Sequence, residues 1–208
     1  MQELEFINSN LGGHKITLSG FREVSKKLLK KNISVCEIGC GGGDNLKAIA
    51  KWCNKNKISV KLIGIDINKE CIEYAAQNCH MLANKEFIIS DYRAIDFSLE
   101  KPAIIFSSLF THHLNDEQFV EMLKWNAKNS ATGFFINDLH RHFLAFYLIK
   151  WLTRFFSKSY LVKNDAPLSV RRGFTRKELQ KLLQQAGIKQ FTIKWKWAFR
   201  WLIIIVHE

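Results

Sequence analysis

Apolar and polar positions alternate along the first two thirds of the chain in blocks typical of strands and helices. Three segments carry apolar residues at helical spacing, over Asp44–Cys53, Lys69–Asn78 and Asp116–Lys128. Strands that alternate with helices form a parallel sheet covered on both faces, so the pattern predicts a doubly wound α/β fold. The strands are predicted from apolar runs at Ile33–Ile38, Val60–Ile65, Glu86–Ile89, Ala103–Ser107 and Gly133–Asn137.

The C-terminal third has a different pattern. Thr175–Glu178 is a capping box that predicts a helix running to Ala186, and Gly187 supplies the residue that ends it. Phe191–Trp197 then alternates apolar and polar residues as a half-buried strand does, and Trp201–Val206 is an apolar run that can pair back with it. Two closing strands complete a seven-stranded, mostly parallel sheet.

Length and charge limit the number of domains and the kinds of partner. The 208 residues, with only two prolines and no linker-like stretch or repeat, predict a single domain. The net charge of +12 is uneven, because residues 139–208 hold 14 Lys and Arg against three acids. Such asymmetry indicates an anionic partner, namely a nucleic acid, a membrane surface or an anionic substrate, or else a solvated basic face.

Cysteines and the N-terminal residues set further expectations. The five cysteines are an odd number without a Cys-x-x-Cys pair, which argues against a disulfide framework and a structural zinc site. Residues 1–10 contain Glu3 and Glu5 and lack a long apolar core, so we expect no signal peptide and a cytoplasmic protein.

The strongest motif is Val35–Asp44, a strand that ends in a glycine turn and leads into a helix. Glycines let the backbone approach a ligand and adopt positive φ, while the helix N-terminus favours an anion. A dinucleotide fingerprint needs glycine where this chain has Asp44, so the pattern speaks against NAD.

The spacing Glu37-x-Gly39-x-Gly41-x-Gly43 resembles the first motif of class I S-adenosyl-L-methionine (SAM)-dependent methyltransferases. The resemblance implies a Rossmann-like methyltransferase fold, SAM as cofactor and S-adenosyl-L-homocysteine (SAH) as product. It also implies that Glu37 balances the cationic methionine end, Asp66 binds the ribose, and Asp91 accepts the adenine amine beside Tyr92. The cofactor residues expected on this basis are Glu37, Gly39, Cys40, Gly41, Asp66, Ile67, Asp91, Tyr92 and Ser107.

The segment Ser107–Asp116 resembles the loop that faces the methyl group in small-molecule and quinone methyltransferases. The chain has no Pro-Pro pair and no Pro-Cys pair, which argues against the amino-methylating and cytosine-C5 nucleic-acid enzymes. Magnesium-dependent catechol-type enzymes carry an aspartate where this chain has Ser107, so we expect a metal-independent reaction.

Histidines are the candidate bases, because their ordinary pKa suits proton removal from a hydroxyl. His112 and His113 lie in the Ser107–Asp116 segment, and His140 and His142 follow the fifth predicted strand, at strand ends where ligands of such sheets bind. We name His112, His140 and His113 as candidates; the alternative is that one of each pair caps a helix or packs against the sheet.

The region between the fifth strand and the capping box is expected to cover the acceptor. A helix predicted over His142–Lys158 has three interpretations: packing on the core, a wall of an aromatic pocket containing Tyr147, or peripheral contact in the plane of a membrane. Asn137–His142 with Leu168–Leu179 resembles bacterial methyltransferases associated with type III polyketide synthases. That resemblance implies O-methylation of an aromatic, polyketide-derived or quinone-like acceptor held by Arg141, Arg171 and Arg172.

These segments divide the predicted domain into an N-terminal helical lid (1–32), a cofactor-binding core (33–138), an acceptor-covering insertion (139–174) and a closing part (175–208). In the lid, Leu11–His14 is expected to precede the first helix and close over the cofactor. Two other functions remain open: an RNA methyltransferase that uses the basic third, and a SAM-binding protein without catalysis.

Overall fold

The computed structural model describes residues 12–28, 32–157 and 159–207, and it contains one seven-stranded sheet. The strand order is β3-β2-β1-β4-β5-β7-β6, and β7 runs antiparallel to both of its neighbours while the other pairs are parallel. The predicted mostly parallel, doubly wound sheet is therefore confirmed. Its strands are β1 (Asn32–Ile38), β2 (Ser59–Asp66), β3 (Lys85–Ile89), β4 (Ile104–Ser108), β5 (Gly133–Leu139), β6 (Thr192–Lys196) and β7 (Arg200–Val206).

Seven α-helices occur among the described residues, and they cover both faces of the sheet. The predicted capping box is present, since Thr175 and Glu178 exchange side-chain and backbone hydrogen bonds, and Gly187 has the expected positive φ of 78°. The helices are α1 (Gly13–Ser25), α2 (Asp44–Lys55), α3 (Lys69–Asn78), α4 (Asp116–Asn129), α5 (Phe143–Phe156), α6 (Tyr160–Arg172) and α7 (Arg176–Gln185).

The N-terminal helix α1 packs on the sheet face that it shares with α2. A side chain at Gly20 would place its Cβ 2.4 Å from the ring of Phe135, so the glycine lets α1 lie directly on β5. The helix begins at Gly13, so Gly13 and His14 are in its first turn rather than before it, and Leu11 lies outside the described residues. Among the residues described, no helix has both the length and the apolar character needed to cross a membrane.

The region between β5 and α7 contains two helices where the sequence predicted one. The predicted helix His142–Lys158 corresponds to α5, with His142 as its N-cap; Lys158 lies outside the described residues. The second helix, α6, contains Pro167 and was not predicted. It packs against α5, against β5 and against the short 3-10 helix Thr111–His113 that follows β4. The insertion therefore lies at the carboxyl ends of β4 and β5.

Candidate active site

The glycine turn after β1 is held against β2 by its own backbone. Gly39, Gly41 and Gly43 have positive φ values of 67°, 51° and 76°, which explains the need for glycine at each. The amides of Gly39 and Cys40 donate to the carbonyl of Ile65 at 2.8 and 3.1 Å. Burial raises the pKa of the Cys40 thiol, which stays neutral inside the protein. Only the backbone of Cys40 is therefore suited to a polar ligand.

A cleft opens beside this turn, at the carboxyl ends of β1, β2 and β3. Five of the predicted cofactor residues line it: Gly39, Asp66, Ile67, Asp91 and Tyr92. The structure thus brings together residues from three separate predicted strand ends. The cleft is also lined by Phe110, Leu114 and Gln118, which the sequence analysis did not single out and which follow β4.

Asp66 keeps half of its hydrogen-bonding capacity for a ligand. Its Oδ2 accepts the amide of Gly41 at 3.0 Å and its Oδ1 accepts the amide of Asn68 at 2.9 Å. A carboxylate has about four lone-pair positions, so roughly two remain, which is the number that two vicinal hydroxyls require. This geometry fits the predicted ribose contact.

Asp91 is arranged differently from the prediction. Both of its carboxylate oxygens accept from the Arg93 side chain, at 2.6 to 3.1 Å, and Oδ1 also accepts the Arg93 amide. These bonds hold the pKa of Asp91 below its ordinary value. An adenine amine would have to compete with Arg93, whose side chain is 54% exposed and also lies 4.0 Å from Glu121. The adenine contact of Asp91 remains a prediction that requires Arg93 to turn away.

Tyr92 is largely buried and belongs to the wall of the cleft. Its ring packs edge-on against Trp125, with the centroids 5.2 Å apart, and burial raises the pKa of its hydroxyl to about 12. The side chain is therefore fixed and neutral at physiological pH. Tyr92 can therefore contact a bound ring through its backbone and the edge of its own ring, and not through an ionised hydroxyl.

Glu37 is a buried carboxyl group with one unsatisfied oxygen. Its Oε1 accepts from Asn45 Nδ2 at 2.8 Å, and Asn45 in turn accepts from the Thr17 hydroxyl of α1 at 3.1 Å. Its Oε2 has no hydrogen-bond partner among the described residues. Burial raises the pKa of Glu37 well above its ordinary value, and the nearby Asp44 and Asp66 raise it further. A buried, half-satisfied carboxyl group is suited to a cationic ligand, as SAM would supply.

Ser107 is the other predicted cofactor residue with an unsatisfied atom. It lies beside Ile38 in the β1–β4 register, is fully buried, and its hydroxyl has no hydrogen-bond partner within the described part of the chain. The end of β4 thus carries a buried polar group next to the end of β1.

His112 is held by a buried aspartate that the sequence analysis did not single out. Its Nδ1 lies 2.7 Å from Oδ1 of Asp138, at the end of β5. The other oxygen of Asp138 accepts the Thr111 hydroxyl at 2.6 Å and the Thr111 amide at 2.7 Å. Burial alone would raise the pKa of Asp138, but His112 and these hydrogen bonds hold it below its ordinary value. Asp138 is therefore ionised and oriented toward the imidazole.

The other histidines at these strand ends make contacts that are less suited to proton removal. His140 Nδ1 accepts the indole N–H of Trp195 at 3.3 Å, and its ring lies 4.6 Å from that of Trp201, on the β7 side of the sheet. His142 accepts the Leu144 amide and caps α5. His113 is exposed; desolvation of its ring and the neighbouring His112 lower its pKa.

The predicted acceptor-binding residues are not among the described residues that line the cleft. Arg141 pairs with Glu178 of the capping box. Arg171 lies 6.0 Å from the ring centroid of Phe146, as a cation–π pair does. Arg172 is near enough to His113 to lower its pKa, and Tyr147 is 55% exposed on α5. Their role in acceptor binding stays a prediction.

The sheet topology, the glycine turn and the acids after β2 and β3 together define the fold of a class I SAM-dependent methyltransferase. The family model described as a methyltransferase domain matches residues 35–129. The family resemblance noted from the sequence is therefore confirmed over these residues. The expected cofactor, SAM, agrees with this match.

Solved structures share the fold at low sequence identity. Magnesium protoporphyrin IX methyltransferase (ChlM) from Synechocystis PCC 6803 with bound SAH has a TM-score of 0.65 at 15% identity, covering 98% of this chain and 88% of its own. The plantazolicin methyltransferase BpumL, in complex with a triazolic desmethylPZN analog and SAH, has a TM-score of 0.66 at 20% identity, with coverages of 91% and 72%. A SAM-dependent methyltransferase from Aquifex aeolicus has 0.65 at 17% identity, with coverages of 91% and 88%. No curated protein matches the sequence.

Proposed function

We propose that the protein transfers the methyl group of SAM to a hydroxyl oxygen of a small aromatic, polyketide-derived or quinone-like acceptor, without a metal ion. His112 takes up the hydroxyl proton in this proposal, and Asp138 positions it. The observation that carries the proposal is the 2.7 Å contact between His112 Nδ1 and the buried carboxylate of Asp138.

This contact determines which imidazole nitrogen can act as a base. A carboxylate only accepts hydrogen bonds, so Asp138 selects the tautomer with the proton on Nδ1 of His112. The lone pair then lies on Nε2, the ring nitrogen that faces away from Asp138. When Nε2 takes up a proton, the ionised Asp138 stabilises the imidazolium, as a buried aspartate does in hydrolase triads.

In this proposal the cofactor residues and the base come together at one edge of the sheet. Asp66 follows β2 and offers two lone-pair positions to ribose hydroxyls, and Glu37 on β1 offers its unpaired oxygen to an ammonium group. His112 follows β4, which pairs directly with β1. SAM, when bound, supplies an electrophilic methyl group on a sulfonium. The protein's part is then to align the acceptor, hold water away and remove one proton.

Support for the acceptor class comes from the sequence rather than from the solved structures. The segment Ser107–Asp116 resembles small-molecule and quinone methyltransferases, and Asn137–His142 with Leu168–Leu179 resembles enzymes of polyketide pathways. The similar structures bear the names of a magnesium protoporphyrin IX methyltransferase and a plantazolicin methyltransferase, two different acceptors. The competing candidate is RNA. It is favoured by the basic residues 139–208, which contain 14 Lys and Arg but only three acids.

The proposal is tested with SAM labelled in its methyl group. The protein is incubated in parallel with a panel of phenols and hydroxyquinones and with total RNA, and the labelled product is identified by mass spectrometry and NMR. We expect an O-methyl ether whose formation falls in His112→Asn and persists in His140→Asn. Label in RNA would assign the second candidate, and an N- or C-methyl product would contradict the O-methylation.

A further inference from the structure

Helix α5 exposes a continuous row of large apolar side chains. Six of them, each between 47% and 68% exposed, are Phe143, Leu144, Tyr147, Leu148, Trp151 and Phe155. We call these six residues the outer face of α5. Single exposed apolar residues are common on protein surfaces, but a contiguous set of this kind marks a surface that binds something.

The opposite side of α5 is already used for packing. Ala145 and Thr153 are buried, and the helix packs against α6. At about 100° per residue, the outer face spans an arc of about 140° on the other side of the helix. The helix is therefore apolar on both sides, whereas a helix at an ordinary protein surface keeps one side polar.

The charges of α5 lie along one edge of this arc. Lys150 and Arg154 fall within about 20° of the position of Phe143, at the margin of the outer face. Both are exposed, and α5 contains no aspartate or glutamate. The helix thus combines an aromatic and aliphatic surface with a purely basic border.

We propose that α5 lies in the plane of an anionic membrane surface, with its outer face at the boundary of the acyl chains. Lys150 and Arg154 then contact lipid phosphates, and Trp151 and Tyr147 occupy the interfacial depth that such rings prefer. Charge complementarity selects this occupant: residues 139–208 carry 14 Lys and Arg against three acids. A second copy docked antiparallel on the same face would instead bring two basic borders together.

The test is co-sedimentation of the purified protein with vesicles, either of phosphatidylcholine alone or of equal parts phosphatidylcholine and phosphatidylglycerol. We expect at least tenfold tighter partitioning to the anionic vesicles, weakened by added salt. Trp151→Glu with Phe155→Glu should reduce this partitioning about tenfold or more, because two side chains of the outer face can no longer enter the lipid. Lys150→Gln and Arg154→Gln should each lower it about fivefold, on anionic vesicles only.

Leu99→Glu is the matched control, because it makes the same kind of change at a fully exposed apolar residue (101%) outside α5, in the segment leading into β4. Circular dichroism and SAM affinity verify that each variant is folded. The proposal is overturned if the protein does not sediment with anionic vesicles, or if the α5 variants bind them as the control does. It is also overturned if ultracentrifugation shows a dimer that Trp151→Glu disperses, which would assign the outer face to a second copy.

Discussion

The buried carboxyl group of Glu37 predicts that SAM binding releases a proton. Its Oε2 lacks a partner among the residues that the structure describes, and burial raises its pKa well above the ordinary value of 4.5. The protonated form therefore persists to higher pH than in an unfolded chain. An ammonium group beside Oε2 favours the ionised form. Below the raised pKa, SAM affinity therefore increases with pH by up to about tenfold per pH unit, and above it the affinity becomes constant.

The substitution Glu37→Gln isolates this effect. Glutamine keeps an oxygen that can accept from Asn45, so the local packing is retained, but it has no charge to place against the ammonium. Hydrogen bonds to charged groups contribute about 1.5–3 kcal/mol, so we expect roughly 10- to 150-fold weaker SAM binding at neutral pH. The pH dependence of the remaining affinity should disappear. Glu73→Gln, at a side chain that is 58% exposed on α3, is the control.

Calorimetry in two buffers of different ionisation enthalpy measures the protons released on SAM binding. Equal heats in both buffers, together with unchanged affinity in Glu37→Gln, would show that Glu37 does not face the cofactor.

The same group also affects stability without SAM. In the unfolded state this carboxyl group loses its proton near pH 4.5, whereas in the native state it keeps the proton up to the raised pKa. The resulting stabilisation of the native state is fully present below pH 4.5 and is lost as pH rises through the raised pKa. Glu37→Gln should reduce this loss.

Three further substitutions test other parts of the structure. Asp66→Ala should weaken SAM binding by about 1–3 kcal/mol, the cost of losing charge-assisted bonds to ribose, and an unchanged dissociation constant would exclude that contact. His112→Ala should lower kcat about 10²- to 10⁴-fold at constant SAM affinity, while His140→Ala retains turnover; comparable losses in both would exclude His112 as the specific base. Gly20→Ala should reduce the free energy of unfolding by about 1–3 kcal/mol in urea denaturation, because its methyl group would collide with Phe135. An unchanged midpoint would contradict the packing of α1 on β5.

The sequence predicted the sheet well because its signals are local. Each parallel strand is an apolar run bounded by turn residues, and all seven predicted strands occur within a few residues of their expected bounds. The capping box at Thr175–Glu178 is equally local and is confirmed. The cleft could be predicted because acids at successive strand ends must meet at one edge of a parallel sheet.

Contacts between distant positions were not predictable in this way. His112 and Asp138 are 26 residues apart and meet only because β4 and β5 are neighbours. The ion pair of Arg141 with Glu178 depends likewise on where α7 packs. Helix α6 was missed because Pro167 in its middle is a residue that usually ends helices.

The position of β7 has a consequence for how the protein is made. This strand comes after β6 in the chain but lies between β5 and β6 in the sheet. Leu202 and Ile204 belong to one hydrophobic layer, while Ile203 and Ile205 belong to the other, so both layers stay open until β7 has left the ribosome. An unpaired strand edge and exposed apolar surface invite aggregation during that interval. Chains whose synthesis stops before residue 200 should therefore accumulate as insoluble protein rather than as a folded, inactive domain.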